Sequence, residues 1–251
     1  MIRKIIIAGL IALSFAIPAE ADECSSCLIY KGYISGDMGL WEKGMAQMRE
    51  AYDGKPLPCL LFTFTEARYG YIGYMLGMEK RSEVKPLVNA FEADIESLAA
   101  YAEYRAETEA FRVALLGFRM GLNPALAVFL GPKALKQLEK ALATGRTSAT
   151  VWIEKANAEA YMPAFAGGSK AKAAESFRKA LSLYEADSSL SACNWRYLNT
   201  MVLLGQTLEK MDDYPGAREA YLKALQREPE FRWVRDELLP AVEKKLKQQE
   251  D

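Results

Sequence analysis

Asn194–Pro229, NWRYLNTMVLLGQTLEKMDDYPGAREAYLKALQREP, decides the fold. It reads as a helix over Asn194–Lys210, a tight turn and a second helix over Asp212–Arg227. The apolar side chains recur at helical spacing in both halves. Gly205, Ala217 and Ala224 are small where two helices must touch, and Pro229 stops the second helix.

Outward from this unit, looser copies follow the same plan. Pro124 precedes Ala141 by 17 positions, and Pro163 precedes Ala180 by the same 17. Each proline follows a helix, Thr108–Leu122 in one case and Ser148–Tyr161 in the other. Each is followed by a glycine segment, Gly131-Pro132-Lys133 or Gly167-Gly168-Ser169-Lys170, and then by a helix carrying Ala134, Leu138 and Ala141 or Ala173, Phe177 and Ala180. Toward the N-terminus, Asp37–Asp53, Pro58–Met78 and Glu83–Tyr101 read as three more helices. Phe231–Gln248 closes the chain as a cap. Strand signals are almost absent, and Ala, Leu, Glu, Lys, Met and Arg dominate.

The chain has 251 residues, a formal charge of −1 and no histidine. The charge gives no basic footprint for nucleic acid. The missing histidine removes the Ser-His and Cys-His nucleophile pairs and most zinc sites. Glu154 and Glu159 are read as a solvated helix face rather than a catalytic pair. No metal site, cofactor or enzymatic activity is expected. Gly167–Lys170 lacks the strand and the spacing of a phosphate loop.

Met1–Lys4 carries two cations, Ile5–Ile17 is an apolar run, and Ala19-Glu20-Ala21 fits a cleavage site. Residues 1–21 are therefore read as a secretory signal peptide, with an uncleaved anchor as the alternative. The expected product is periplasmic or secreted, unlipidated, and without a membrane span. Residues 22–36 form an N-terminal segment with the C-x-x-C of Cys24 and Cys27, and residues 37–251 a single helical domain. An oxidising compartment makes Cys24, Cys27, Cys59 and Cys193 disulfide candidates, with Cys59 the expected partner of Cys27 or Cys24. Redox catalysis by the C-x-x-C lacks its preceding strand.

Leu204, Gly205, Leu208, Tyr214, Ala217, Tyr221, Ala224 and Pro229 resemble the tetratricopeptide repeat (TPR), a helix pair of about 34 residues. Trp152, Ala156, Ala173, Phe177 and Ala180 match it one unit earlier, and Gly117, Ala134, Leu138 and Ala141 one unit before that. The signal peptide, Tyr69–Tyr74, Leu130–Lys133, Gly167-Gly168 and Asn194-Trp195 together look like exported bacterial TPR proteins of unknown function. They are more distantly similar to the T component of TRAP-type transporters. The resemblance implies an all-α, right-handed superhelix of stacked antiparallel helix pairs, about four pairs plus capping helices.

It also implies a concave groove that binds a protein or peptide partner. By position that groove comprises Asn199, Val202, Gln206 and Glu209, then Thr150, Ile153 and Asn157, then Phe111, Ala114 and Phe118. The alternative is a groove closed by the protein's own caps. The aromatic run Phe62, Phe64, Tyr69, Tyr71 and Tyr74 reads as core or as a pocket for a small hydrophobic ligand. The pocket would suit a soluble accessory protein of an uptake system. Pro124–Lys133 and Pro163–Lys170 are expected as paired loops on one edge.

Overall fold

A computed structural model describes residues 20–187 and 193–250, with the backbone alone for 20–26 and 250. The leader expected over residues 1–21 lies outside these except for Glu20 and Ala21.

Among the described residues the regular structure is all helical. The helices are α1 (Glu20–Ser35), α2 (Met38–Gly54), α3 (Pro58–Gly77), α4 (Arg81–Leu98), α5 (Arg105–Leu122), α6 (Ala127–Thr144), α7 (Ala149–Tyr161), α8 (Lys170–Ala186), α9 (Trp195–Glu209), α10 (Tyr214–Arg227) and α11 (Leu239–Glu250). They pack as successive hairpins, α1–α2 through α9–α10, with α11 closing the stack.

The local signals act as their chemistry requires. Asp37, Ser169, Asn194 and Asp213 each turn a side-chain oxygen onto free backbone N–H groups at the start of α2, α8, α9 and α10. Gly205 is demanded by contact, since a Cβ there would lie 2.4 Å from the Tyr221 ring. That ring, with Ala217 and Ala224, is wholly buried in the α7–α11 core.

Three expectations change. The segment before residue 37 is a helix, α1, and it pairs with α2, so the stack holds five hairpins rather than four and a leading cap. Gly131-Pro132 lies inside α6, not between helices. Pro132 is the sixth residue of that helix. The carbonyl it leaves unbonded belongs to the exposed Val128, where water can take it. The closing helix is interrupted by a wide π-turn over Val234–Leu238.

The first helices of the hairpins run parallel. At the start of α5 and α7, Ser148 Oγ donates to Glu107 Oε1 at 2.7 Å. Farther along, the Tyr69 ring packs on Phe118, 5.4 Å between centroids, while its hydroxyl accepts from Asn157 Nδ2 at 3.1 Å. Helix α3 follows α5 in the same sense: Phe62 stacks on Tyr104, and Leu76 lies beside Gly121. Helix α9 follows α7, since Arg196 meets Thr150 and Glu154 while the Lys210 ammonium sits 5.3 Å over the Tyr161 ring. The turns that follow α3, α5, α7 and α9 therefore share one edge.

Candidate functional site

The inner faces of α3, α5, α7 and α9 converge on Arg196, which is completely buried. Its Nη1 reaches Glu66 Oε1 at 3.2 Å and Thr150 Oγ1 at 3.4 Å, and its Nη2 reaches Glu154 Oε1 at 2.9 Å. The guanidinium carbon lies 4.6 Å from the Tyr69 ring centre and 5.4 Å from that of Phe111. Such stacking suits a planar cation stripped of water. Burial pushes the Glu66 and Glu154 carboxyls upward, and Arg196 pulls both back. Burial also works against the arginine's charge, yet Tyr69, Glu66, Tyr184 and Glu154 together hold it more firmly protonated than usual.

This cluster closes the inner face. Of the expected partner-facing set, Phe111, Ala114, Thr150, Ile153 and Val202 are buried. Asn157 is bonded to Tyr69. Asn199 Oδ1 accepts from the Tyr33 hydroxyl of α1 at 2.8 Å. Glu209 accepts from the Tyr221 hydroxyl at 2.6 Å and from Lys245 at 2.9 Å. Phe118 packs on Tyr69 and Phe91. Gln206 is half-buried. Most of these residues therefore meet the protein's own helices: Asn199 meets α1, Asn157 meets α3, Phe118 meets α3 and α4, and Glu209 meets α10 and α11.

The aromatic run is likewise packing. Phe64 is buried under the Arg68 guanidinium, 4.5 Å from its ring centre, and Phe62 and Tyr69 pack into the α3–α5 core. Tyr71 donates to Glu42, and Tyr74 is partly exposed beside Tyr71. A cleft of about 250 Å³ does open where the α4–α5 connection meets the start of α5, but none of these five aromatics lines it.

Glu154 and Glu159 are not a solvated face. Glu154 is tied to Arg196. Glu159 accepts from Ser176 Oγ at 2.6 Å and from Lys155 at 2.6 Å. Both carboxylates are structural ion pairs in the interior. Cys27 meets Cys193, the two sulfur atoms 3.5 Å apart, and Cys59 is a free thiol, so the fold does not bring Cys27 to Cys59; the Cys24 side chain lies outside the described residues. Arg196 went unnoticed in the sequence. The signal was there, because the stripe Asn199–Val202–Gln206–Glu209 carried back one turn lands beside it.

The surface that remains open is the edge where the first helices end. Phe129, Val128 and Tyr161 are 70–77% exposed and Phe165 is 94% exposed. Met78 and Met211 stand on the neighbouring turns of the same edge, both exposed. Phe165 lies in a single 3₁₀ turn, Ala164–Ala166, held by a left-handed Gly167 at φ 97°. Gly168 next to it is packed so closely that a Cβ would fall 1.8 Å from the Met162 carbonyl oxygen. The turn is thus rigidly closed while its Phe165 ring projects into water. Residues 123–136 and 161–174 contain Lys133, Lys136, Lys170 and Lys172 and no Asp or Glu. All four lysines are exposed. Among the described residues none of the four forms an ion pair.

A crystal structure of a thermophilic TPR protein from Thermus thermophilus superposes on this chain with a TM-score of 0.55 at 16% identity, covering 87% of this chain and 98% of that one. The fold is a TPR-like helical repeat. No family model matches the chain, and neither does any curated protein. At that identity the likeness speaks to the fold and leaves function to the site. No helix among the described residues is long and apolar enough to cross a membrane.

Proposed function

We propose that this chain is an exported, non-enzymatic TPR-like scaffold that holds a protein partner on the edge formed by the turns after α5 and α7. One observation carries the reading: Phe129 in the first turn of α6 and Phe165 in the 3₁₀ turn before α8 are exposed, and the four lysines of the same two segments form no ion pair among the described residues, while the inner face is filled from within. Exposed apolar patches of this kind on a soluble protein are commonly interaction sites. The lysines favour a partner segment that combines apolar side chains with Asp or Glu. Export is supported by the cationic start, the apolar run Ile5–Ile17 and the Ala19-Glu20-Ala21 site.

Phe129→Ser with Phe165→Ser removes two rings that touch little of the fold. Covering a ring of this size contributes about 1.5–3 kcal/mol. The pair should therefore weaken partner binding by at least about 100-fold while leaving helical content unchanged. Asn157→Ala with Gln206→Ala should leave binding intact. Crosslinked partner recovered equally with the phenylalanine variant would refute the edge. Sedimentation of the purified protein with anionic vesicles would reassign the edge to a membrane surface and overturn the partner class.

A further inference from the structure

The geometry points to a disulfide between Cys27 and Cys193 that staples α1 across the inner face of the repeat stack. The two sulfur atoms are 3.5 Å apart although the residues are 166 positions apart in sequence. Both backbones are held in place by groups unrelated to the sulfurs. Cys193 has φ +46° and directly precedes Asn194, whose side chain accepts from the N–H groups of Arg196 and Tyr197 and fixes the start of α9. Cys27 lies in α1, whose Ile29 is buried and whose Tyr30 hydroxyl donates to Glu228 Oε2 at 2.9 Å. A disulfide needs the two sulfurs at about 2.05 Å, so the bond closes a remaining gap of about 1.5 Å.

The chemistry balances with a small-molecule disulfide such as oxidised glutathione as the oxidant. The exposed Cys193 sulfur attacks it, forming a mixed disulfide and releasing one glutathione thiol. The Cys27 sulfur then attacks the Cys193 sulfur and releases the second. Two electrons pass to the oxidant, and the two cysteine protons end on the two glutathione thiols. The consequence reaches the candidate groove. Helix α1 covers Asn199 through Tyr33, whose ring also contacts Trp41, Trp195 and Phe231. Oxidation would lock that cover shut and leave the loop edge as the accessible surface.

The test uses the full chain equilibrated with oxidised glutathione, digested without reduction and analysed by mass spectrometry. Trypsin leaves Cys24 and Cys27 in one peptide, so Cys24→Ser is analysed alongside the parent. The expected result is a link from the Cys27 peptide to the Cys193 peptide in both proteins, and a Tm lowered by roughly 5–15 °C on reduction. Cys193→Ser should lose both the link and the reductant sensitivity while keeping its helical content. An alkylatable Cys193 after oxidation, or Cys27 linked to Cys24 or Cys59 instead, would overturn the assignment. The outcome is independent of what the edge binds.

Discussion

Arg196→Met removes one charge from the centre of the stack and keeps most of the side-chain volume. Glu66 and Glu154 then lose the cation they share, at a site walled by the Tyr69 and Phe111 rings. Stripping one partner from a buried ion pair costs about 3–5 kcal/mol, because the remaining charge has neither water nor counter-ion. Loss of packing is the smaller effect, since a methionine fills much of the same space. The two glutamates can escape the penalty by binding protons. Burial already raises both carboxyls, and without Arg196 the largest opposing pull on each is gone, leaving Glu154 only its hydrogen bonds with Tyr69 and Asn157 to offset it. The folded variant then holds protons that the unfolded chain has released. Its stability must fall as pH rises, so its deficit against the parent should be largest near pH 8 and shrink toward pH 5. Adding Glu66→Gln and Glu154→Gln should return roughly half or more of the loss and flatten that slope, because a neutral amide is cheaper to bury than a bare carboxylate. Urea unfolding followed by far-ultraviolet circular dichroism at both pH values measures all of this. A deficit below about 1 kcal/mol, or one equal at pH 5 and pH 8, would refute the idea that the inner face closes on a charge-paired Arg196.

Asp94 offers a second titration. Burial holds it up to about 6 against the pull of Arg68, so its contribution is complete below about pH 4, fades as pH rises through 6 and totals ~3 kcal/mol. Asp94→Asn should remove that part of the pH dependence in the same unfolding series. The two glycines of Tyr69–Tyr74 should part company. A Cβ at Gly70 would lie 2.6 Å from Trp195 and 2.7 Å from Trp41, whereas at Gly73 it meets open space. Thermal melts should show Gly70→Ala destabilised by about 1–3 kcal/mol and Gly73→Ala stabilised by about 0.5–1 kcal/mol. Reversing the edge charge with Lys133→Glu and Lys172→Glu should slow partner association and weaken its salt dependence, read by surface binding kinetics at two ionic strengths.

The helices were legible because each carries its own evidence. The Leu204-Gly205 pair, the spacing of Ala217, Tyr221 and Ala224 and the stop at Pro229 are all local patterns. Helix α1 was missed because its start overlaps the leader and its C-x-x-C drew a chemical reading, although Ile29 and Tyr33 already stood four apart. Closure of the inner face was not legible from spacing. It depends on how tightly successive hairpins turn, which is set by contacts such as Arg196 with Glu66, 130 positions apart. The same stripe of residues would line an open groove in a looser coil. The exposure of Phe165 was hidden for a related reason. The two prolines with their glycine segments marked the edge as unusual, but a phenylalanine in a one-turn 3₁₀ segment has no helical partners to show which way it points.

Photo-crosslinking from single benzophenone side chains, one placed at Phe165 on the edge and one at Gln206 on the inner face, shows which surface holds the partner. A covalent adduct is expected from position 165 to one partner, through a segment rich in apolar and acidic residues, and only internal crosslinks from position 206. A partner adduct from position 206, with none from 165, would contradict the edge as the binding surface.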